Sequence, residues 1–239
     1  MKKLLTILVF AFIGLSTFAQ GDYDDLLEML VDEQYEKLLY KAEKYTLTDK
    51  TKKDALPYLY MSMAYYEISK DEELSVEIPK SFKQSLKYAG KFRSKDKEDA
   101  YFAEYQEYLD QLRQRAVQEA DPAMDQEKYT GAKLYYKYLV KFDETDPGAW
   151  TLQGYCELRL KRKKEAAESL AMAKQIISES GVGHLSDIQM DIFKTALIML
   201  AEGLDEMGDR TQAREWMELG LDYFKEDNEY LVTYDTIVG

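Results

Sequence analysis

WTLQGYCELRLKRKKEAAESLAMA, residues 150–173, places small side chains at Gly154, Ala166 and Ala173, where an amphipathic helix usually carries something larger. A small side chain lets two helix backbones approach toward the short end of the usual ~8–10 Å separation, while larger neighbours fill the groove beside it. The stretch therefore predicts two helices folded back on one another, with Trp150 and Leu170 as flanking large residues. Repetition along the chain decides whether this hairpin stands alone.

It does recur. Ala132 and Ala166 are 34 residues apart, and the sets Ala132, Tyr136, Leu139, then Ala166, Leu170, Ala173, then Ala213, Met217, Gly220 read as one helix face three times. The helix before each follows a second plan: Trp150, Gln153 and Gly154; Leu197, Leu200, Ala201 and Leu204; Tyr58, Met61, Ser62 and Tyr65. Gly154 to Ala166 and Ala201 to Ala213 are both twelve residues, so one hairpin geometry is reused. Apolar period gives about ten helical segments (22–31, 33–46, 53–70, 79–92, 97–120, 125–142, 147–161, 163–179, 186–207 and 209–226) and no run of alternating β-branched residues. The expected class is all-α, an antiparallel array of helix hairpins. Its expected divisions are an N-terminal divergent part at 20–120, regular repeats at 121–228 and a tail of undecided structure at 229–239.

These residues resemble the tetratricopeptide-repeat family, whose units are antiparallel helix pairs with a small residue in the first helix and two in the second. Trp150, Gly154, Ala166, Leu170, Ala173 and Pro147 carry the likeness in one unit, and Leu197, Leu200, Ala201, Leu204, Ala213 and Gly220 in another. Gln153 and Glu157 depart from it, as do the long DEELSVEIPKS connection and the extra residues of SESGVGHLSD. The resemblance implies a curved α-solenoid whose first helices line a concave, partner-binding groove. Leu59, Met63 and Tyr66, then Tyr155 and Arg159, then Ile198, Glu202 and Asp205 are the residues it would project there. The lysine and asparagine clamp that some such proteins use for a peptide carboxylate has no counterpart, since Asn228 is the sole asparagine and lies past the last repeat.

MKKLLTILVFAFIGLSTFAQ follows the plan of a cleavable export signal: two lysines, an apolar run from Leu4 to Phe18, and small residues at Thr17 and Ala19. That run is shorter than the ~20 residues a spanning helix needs. Cleavage after Ala19, with no cysteine there to take a lipid, predicts a periplasmic or secreted product without stable membrane insertion. Cys156 is the only cysteine, which excludes an internal disulfide even in an oxidising compartment. Loss of Lys2 and Lys3 takes the formal charge from −13 to −15, against a nucleic-acid or anionic-membrane binder, both of which need a basic surface.

Catalytic chemistry finds little to stand on. His184 is the only histidine and sits in GVGHLSD, which reads as a loop leading to a helix capped by Ser186. Gly181 and Gly183 give a GxG fragment with no strand before it, and Cys156 reads as a small apolar residue of a packed helix. DYDD at 22–25 and DETD at 143–146 lack the spacing of a calcium loop and read as helix starts, Asp146 capping ahead of Pro147. RLKRKK at 159–164 reads as a polar turn, with docking of an acidic patch as the competing use. Twenty tyrosines suit interhelical seams and a peptide-binding face alike.

The sum is an expected non-enzymatic periplasmic scaffold for envelope proteins or peptides, with no cofactor and no metal. A fixed accessory subunit of an outer-membrane export or insertion assembly, and a self-associating homo-oligomer, stand as alternatives. A carboxylate-based glycan hydrolase ranks below them because no acid and base pair is distinguished among many carboxylates.

Overall fold

The computed structural model describes residues 23–239, so the expected signal segment at 1–19 lies outside the described residues. Among them the chain forms twelve helices and no strand: α1 (Asp24–Val31), α2 (Tyr35–Leu47), α3 (Leu56–Ile68), α4 (Glu72–Glu77), α5 (Ser81–Lys95), α6 (Gln106–Asp125), α7 (Tyr129–Phe142), α8 (Pro147–Arg159), α9 (Lys163–Ser180), α10 (Asp187–Glu206), α11 (Arg210–Phe224) and α12 (Asn228–Val238). Side chains mark many of the starts. Asp71, Asp146, Ser186, Asp209 and Asp227 each accept a backbone N–H of the first turn, and Ser186 with Gln189 forms a full capping box. Pro57 and Pro147 stand in first turns, where no N–H is needed.

One turn recurs in four hairpins. After α1, α6, α8 and α10 comes a left-handed residue, Glu33, Glu127, Lys161 or Gly208, with φ of 57°, 55°, 59° and 82°. The next residue's N–H returns to the carbonyl five back: Gln34 to Met29, Lys128 to Ala123, Arg162 to Glu157 and Asp209 to Leu204, at 2.7–2.9 Å. This is the Schellman ending, which satisfies two carbonyls that the helix leaves open. Only the fourth position is glycine; at the other three a left-handed side chain costs ~1–2 kcal/mol that the two hydrogen bonds must offset.

The pairs α1/α2, α3/α5, α6/α7, α8/α9 and α10/α11 stack in chain order, and α12 closes the far end against α10 and α11. α8 packs on α10 and α10 on α12 through their first-helix faces, while α5 and α7 meet through the return helices. α6 also reaches α10 directly, across α8. Ala132, Ala166, Ala173, Ala201 and Ala213 are fully buried. At Gly154 a Cβ would lie 2.7 Å from the Leu170 side chain, and at Gly220 it would lie 2.5 Å from Leu197 Cδ1. Ser62, the small residue of α3, is buried and donates to the Ser85 carbonyl at 2.8 Å. Tyr58, Met217, Leu197 and Leu204 are buried, whereas Tyr65 and Trp150 are half-buried, Tyr65 stacked on Tyr88 and Trp150 donating its indole N–H to Glu144 O.

The structure differs from the sequence reading at 97–120 and adds detail at three further places. The helix expected at 97–120 begins only at Gln106, because Asp96 accepts the backbone N–H groups of Tyr101 and Phe102 and folds residues 96–105 into turns. The boundary at 120/121 falls inside α6, and one core runs unbroken from Ala55 to Ile237. The DEELSVEIPKS connection holds the short helix α4. The tail at 229–239 is a packed helix, α12, with Tyr230 fully buried and its hydroxyl donating to Met217 O.

Backbone proximity singles out Gly148, where a Cβ would lie 2.9 Å from the Phe193 backbone nitrogen of α10. Gly148→Ala should cost ~1–3 kcal/mol by forcing α8 and α10 apart. Gly131→Ala, whose Cβ meets only Ala123 at an ordinary 3.5 Å, should instead gain ~0.5–1 kcal/mol from the helix preference. Thermal denaturation of the two variants checks the pair; equal melting temperatures would contradict this packing.

Candidate functional site

Arg113 of α6 is fully buried and has three aspartates around it. Its guanidinium pairs with Asp110 one turn back at 2.6 Å, with Asp143 just past α7, and with the Asp146 cap of α8 at 3.6 Å. The Phe142 ring lies 5.2 Å from the guanidinium carbon. Gln189 of α10 donates to Asp143 at 3.1 Å, and Ser186 donates to Asp110 at 3.0 Å. This cluster clasps the start of α10 to α6, two hairpins earlier in the chain. Arg113 Nε and Asp146 Oδ2 face one another without a hydrogen bond. Burial pushes the Asp146 carboxyl up to about 6, against the pull of Arg113 and with the repulsion of Asp143.

Beyond the clasp the two helices part and leave a groove. Gln114, Val117, Gln118 and Asp121 of α6 form one wall; Ile188, Asp191, Ile192, Thr195 and Met199 of α10 form the other, with Tyr136 and Leu152 between them and a cavity of ≈ 180 Å³. The stripe on α10 continues at helical spacing through Glu202 to Glu206. Glu206 takes Arg159 of α8 at 2.7 Å, and Arg159 lies over the rings of Tyr129 and Tyr155 at 5.2 and 5.9 Å. No basic residue lines the cavity. Asp121 is pushed upward by burial and by Asp125, and Glu202 by burial, Glu206 and Glu229, so the walls hold carboxylates that repel one another. Asp121, Asp125, Asp191 and Glu202 form no ion pair among the described residues.

The residues chosen from the sequence divide on inspection. Leu59 is fully buried, and Tyr66 is buried beneath Tyr108 and Arg115, its ring edge-on to Tyr108 at 5.8 Å and 5.4 Å from the guanidinium. α6 reaches α3 there, with Tyr108 Oη 2.7 Å from Ser62 Oγ, so Tyr66 is covered. Met63 is half-buried between the two apolar clusters. Tyr155 is also core, wedged where a Cβ on Gly203 would lie 2.5 Å from its ring; alanine at Tyr66 or Tyr155 would open a cavity and would not test binding. Arg159 pairs with Glu206, and Glu202 lies one turn before it on α10, neither of them lining the cavity, while Ile198 packs on the core and Asp205 turns toward Arg210 at 4.0 Å. The α6 wall and Ile188, Asp191, Thr195 and Met199 were not singled out in the sequence.

Other candidates also find places. DETD supplies Asp143 and Asp146 to the clasp, and Asp25 of DYDD pairs with Lys41 and accepts from Tyr45 Oη at 2.7 Å. In RLKRKK, Arg159 pairs with Glu206, Arg162 with Glu165 at 3.2 Å and Lys164 with Glu168 at 3.9 Å. Cys156 is buried with its sulfur 3.7 Å from Met124 Sδ, and burial pushes the thiol up to about 12. His184 is exposed. Among the described residues no group of three metal-ligating side chains converges, and no helix is long and apolar enough to cross a membrane.

No family model matches the chain, and no curated protein matches it. Among solved structures, one match is the TPR2AB-domain:pHSP90-complex of yeast Sti1, at 14% identity, covering 90% of this chain and 96% of that chain, with a TM-score of 0.35.

The clasp makes two measurable statements. Arg113→Met leaves Asp143 and Asp146 buried without their cation and should cost ~3–5 kcal/mol. Asp146 binds its proton more tightly folded than unfolded between its ordinary 3.8 and about 6, so its contribution to stability falls as pH rises through that window. Asp146→Asn keeps a capping side chain and removes the titration. The variant's melting temperature should gain on the parent between about pH 4 and pH 6; parallel curves would contradict the assignment.

Proposed function

We propose that the chain is a non-enzymatic scaffold, exported to the cell envelope, that holds a segment of a partner protein in the groove between α6 and α10. The observation that carries this reading is the groove itself: apolar side chains at Val117, Leu152, Ile188, Ile192 and Met199, with Asp121 and Asp191 on the rims and no cation beside them. Buried apolar contact supplies affinity, while rim charge selects among partners. A segment with alternating basic and apolar side chains fits both. The absence of a distinguished acid and base, with Cys156 buried and His184 on an exposed loop, favours binding over turnover. Export rests on the N-terminal residues, with their lysines, apolar run and small residues before position 20.

Asp121→Lys with Asp191→Lys reverses the rim at two exposed positions. In-cell crosslinking of tagged protein followed by mass spectrometry should recover a defined envelope protein with the parent and at least ~10-fold less of it with the double variant, at unchanged helical circular dichroism. Equal recovery would reject the groove.

A further inference from the structure

A second surface, independent of the groove, lies on the return helices α5 and α7. Their sequences, SFKQSLKYAGKFRSK and YTGAKLYYKYLVKF, contain no aspartate or glutamate, in a chain whose formal charge is −13. Lys83, Lys87, Lys91 and Lys95 recur every four residues along α5, a row spanning ~18 Å. Lys141 of α7 lies beside it, where a Cβ on Gly90 would come within 3.3 Å of Lys141 Cβ. None of these five lysines forms an ion pair among the described residues, whereas Lys133 of α7 and Arg159, Arg162 and Lys164 of the basic run do.

The ammonium groups are held over rings. Lys91 stands 4.6 Å from the Tyr88 ring and 5.7 Å from Tyr58, Lys95 5.9 Å from Tyr58, and Lys83 5.2 Å from Tyr135. Tyr88 is itself stacked on Tyr65 at 5.5 Å, so the row rests on a firm aromatic bed. Burial, then Lys87 and Lys95, push the Lys91 ammonium downward, the mark of cations crowded without counter-charge. Like charges four apart on a helix oppose its formation, so the pattern works against the fold and an anion set along the row would relieve it.

We propose that the α5/α7 lysine ridge docks an acidic segment of a partner protein, its carboxylates set along the lysine row. A segment is favoured over an anionic bilayer by two observations. α5 exposes no large apolar side chain to enter lipid, and the remainder of the molecule is strongly negative and repelled by a charged plane, whereas a segment touches the ridge alone. A helical partner segment of about 16 residues covers the row.

The test uses mature protein and a fluorescein-labelled, glutamate-rich peptide of about 16 residues, followed by anisotropy at low salt, with phosphatidylglycerol vesicles and sedimentation velocity as parallel arms. Binding should weaken by about tenfold or more in Lys87→Glu/Lys91→Glu and on raising salt from about 50 to 200 mM, and should be unaffected by Asp121→Lys/Asp191→Lys. Lys87→Gln/Lys91→Gln, with an intermediate loss, serves if the reversed variant does not fold. No peptide binding, or binding indifferent to the lysines, overturns the proposal. So does a lysine-dependent response confined to vesicles, which would assign the ridge to lipid, or to self-association, which would assign it to a second copy. The groove reading stands or falls separately, because its variant leaves the ridge intact.

Discussion

A fully buried guanidinium ties together α6, the joint between α7 and α8, and the start of α10. Arg113 is tolerable in the interior only because Asp110, Asp143 and Asp146 surround it, and those three residues come from α6 and from both sides of the joint between α7 and α8. Once that joint is fixed, Gln189 and Ser186 find acceptors on the same aspartates and draw α10 onto α6. Replacing such a cluster with apolar residues is often neutral or stabilising, so its use here is one of geometry: charged groups fix a unique arrangement where oily ones would slide. The groove beyond the clasp exists because the two helices are pinned at one end and free to part at the other.

The hairpins were legible because their determinants are local. Gly154 to Ala166 and Ala201 to Ala213 carry the spacing of a helix pair on the sequence itself, and Asp146 before Pro147 announces a helix start. The left-handed endings of three of the four recurring turns carry no sequence mark, because their residues are Glu33, Glu127 and Lys161, where glycine or asparagine would have flagged them. α12 escaped for another reason: NEYLVTYDTIV is rich in β-branched residues, and its helix rests on the Asp227 cap and on Tyr230 seated against Gly220.

The groove was less legible, since a regular array was assumed where the chain is irregular. The turns at 96–105 precede an α6 whose Tyr108 and Arg115 cover Tyr66, Leu59 belongs to the core, and the open groove lies between α6 and α10. The clasp residues, spread from Asp110 to Gln189, carry no local signal at all. Charge followed the same course. Three basic residues of the conspicuous RLKRKK run, Arg159, Arg162 and Lys164, are paired with glutamates, whereas the evenly spaced lysines of α5 form no ion pair among the described residues. An acidic groove and a basic ridge on one acidic chain give the molecule two faces of opposite preference.

The most direct test of this account is the distance between α6 and α10 across the groove. Spin labels at Gln118→Cys and Thr195→Cys, in a Cys156→Ala background, report it by electron–electron double resonance. The account expects one narrow distribution that lengthens and broadens when Ser186→Ala and Gln189→Ala remove the α10 side of the clasp while Arg113 keeps its aspartates. An unchanged distribution in the folded double variant would show that the α6–α10 separation does not depend on the clasp, and the explanation of the groove would fail.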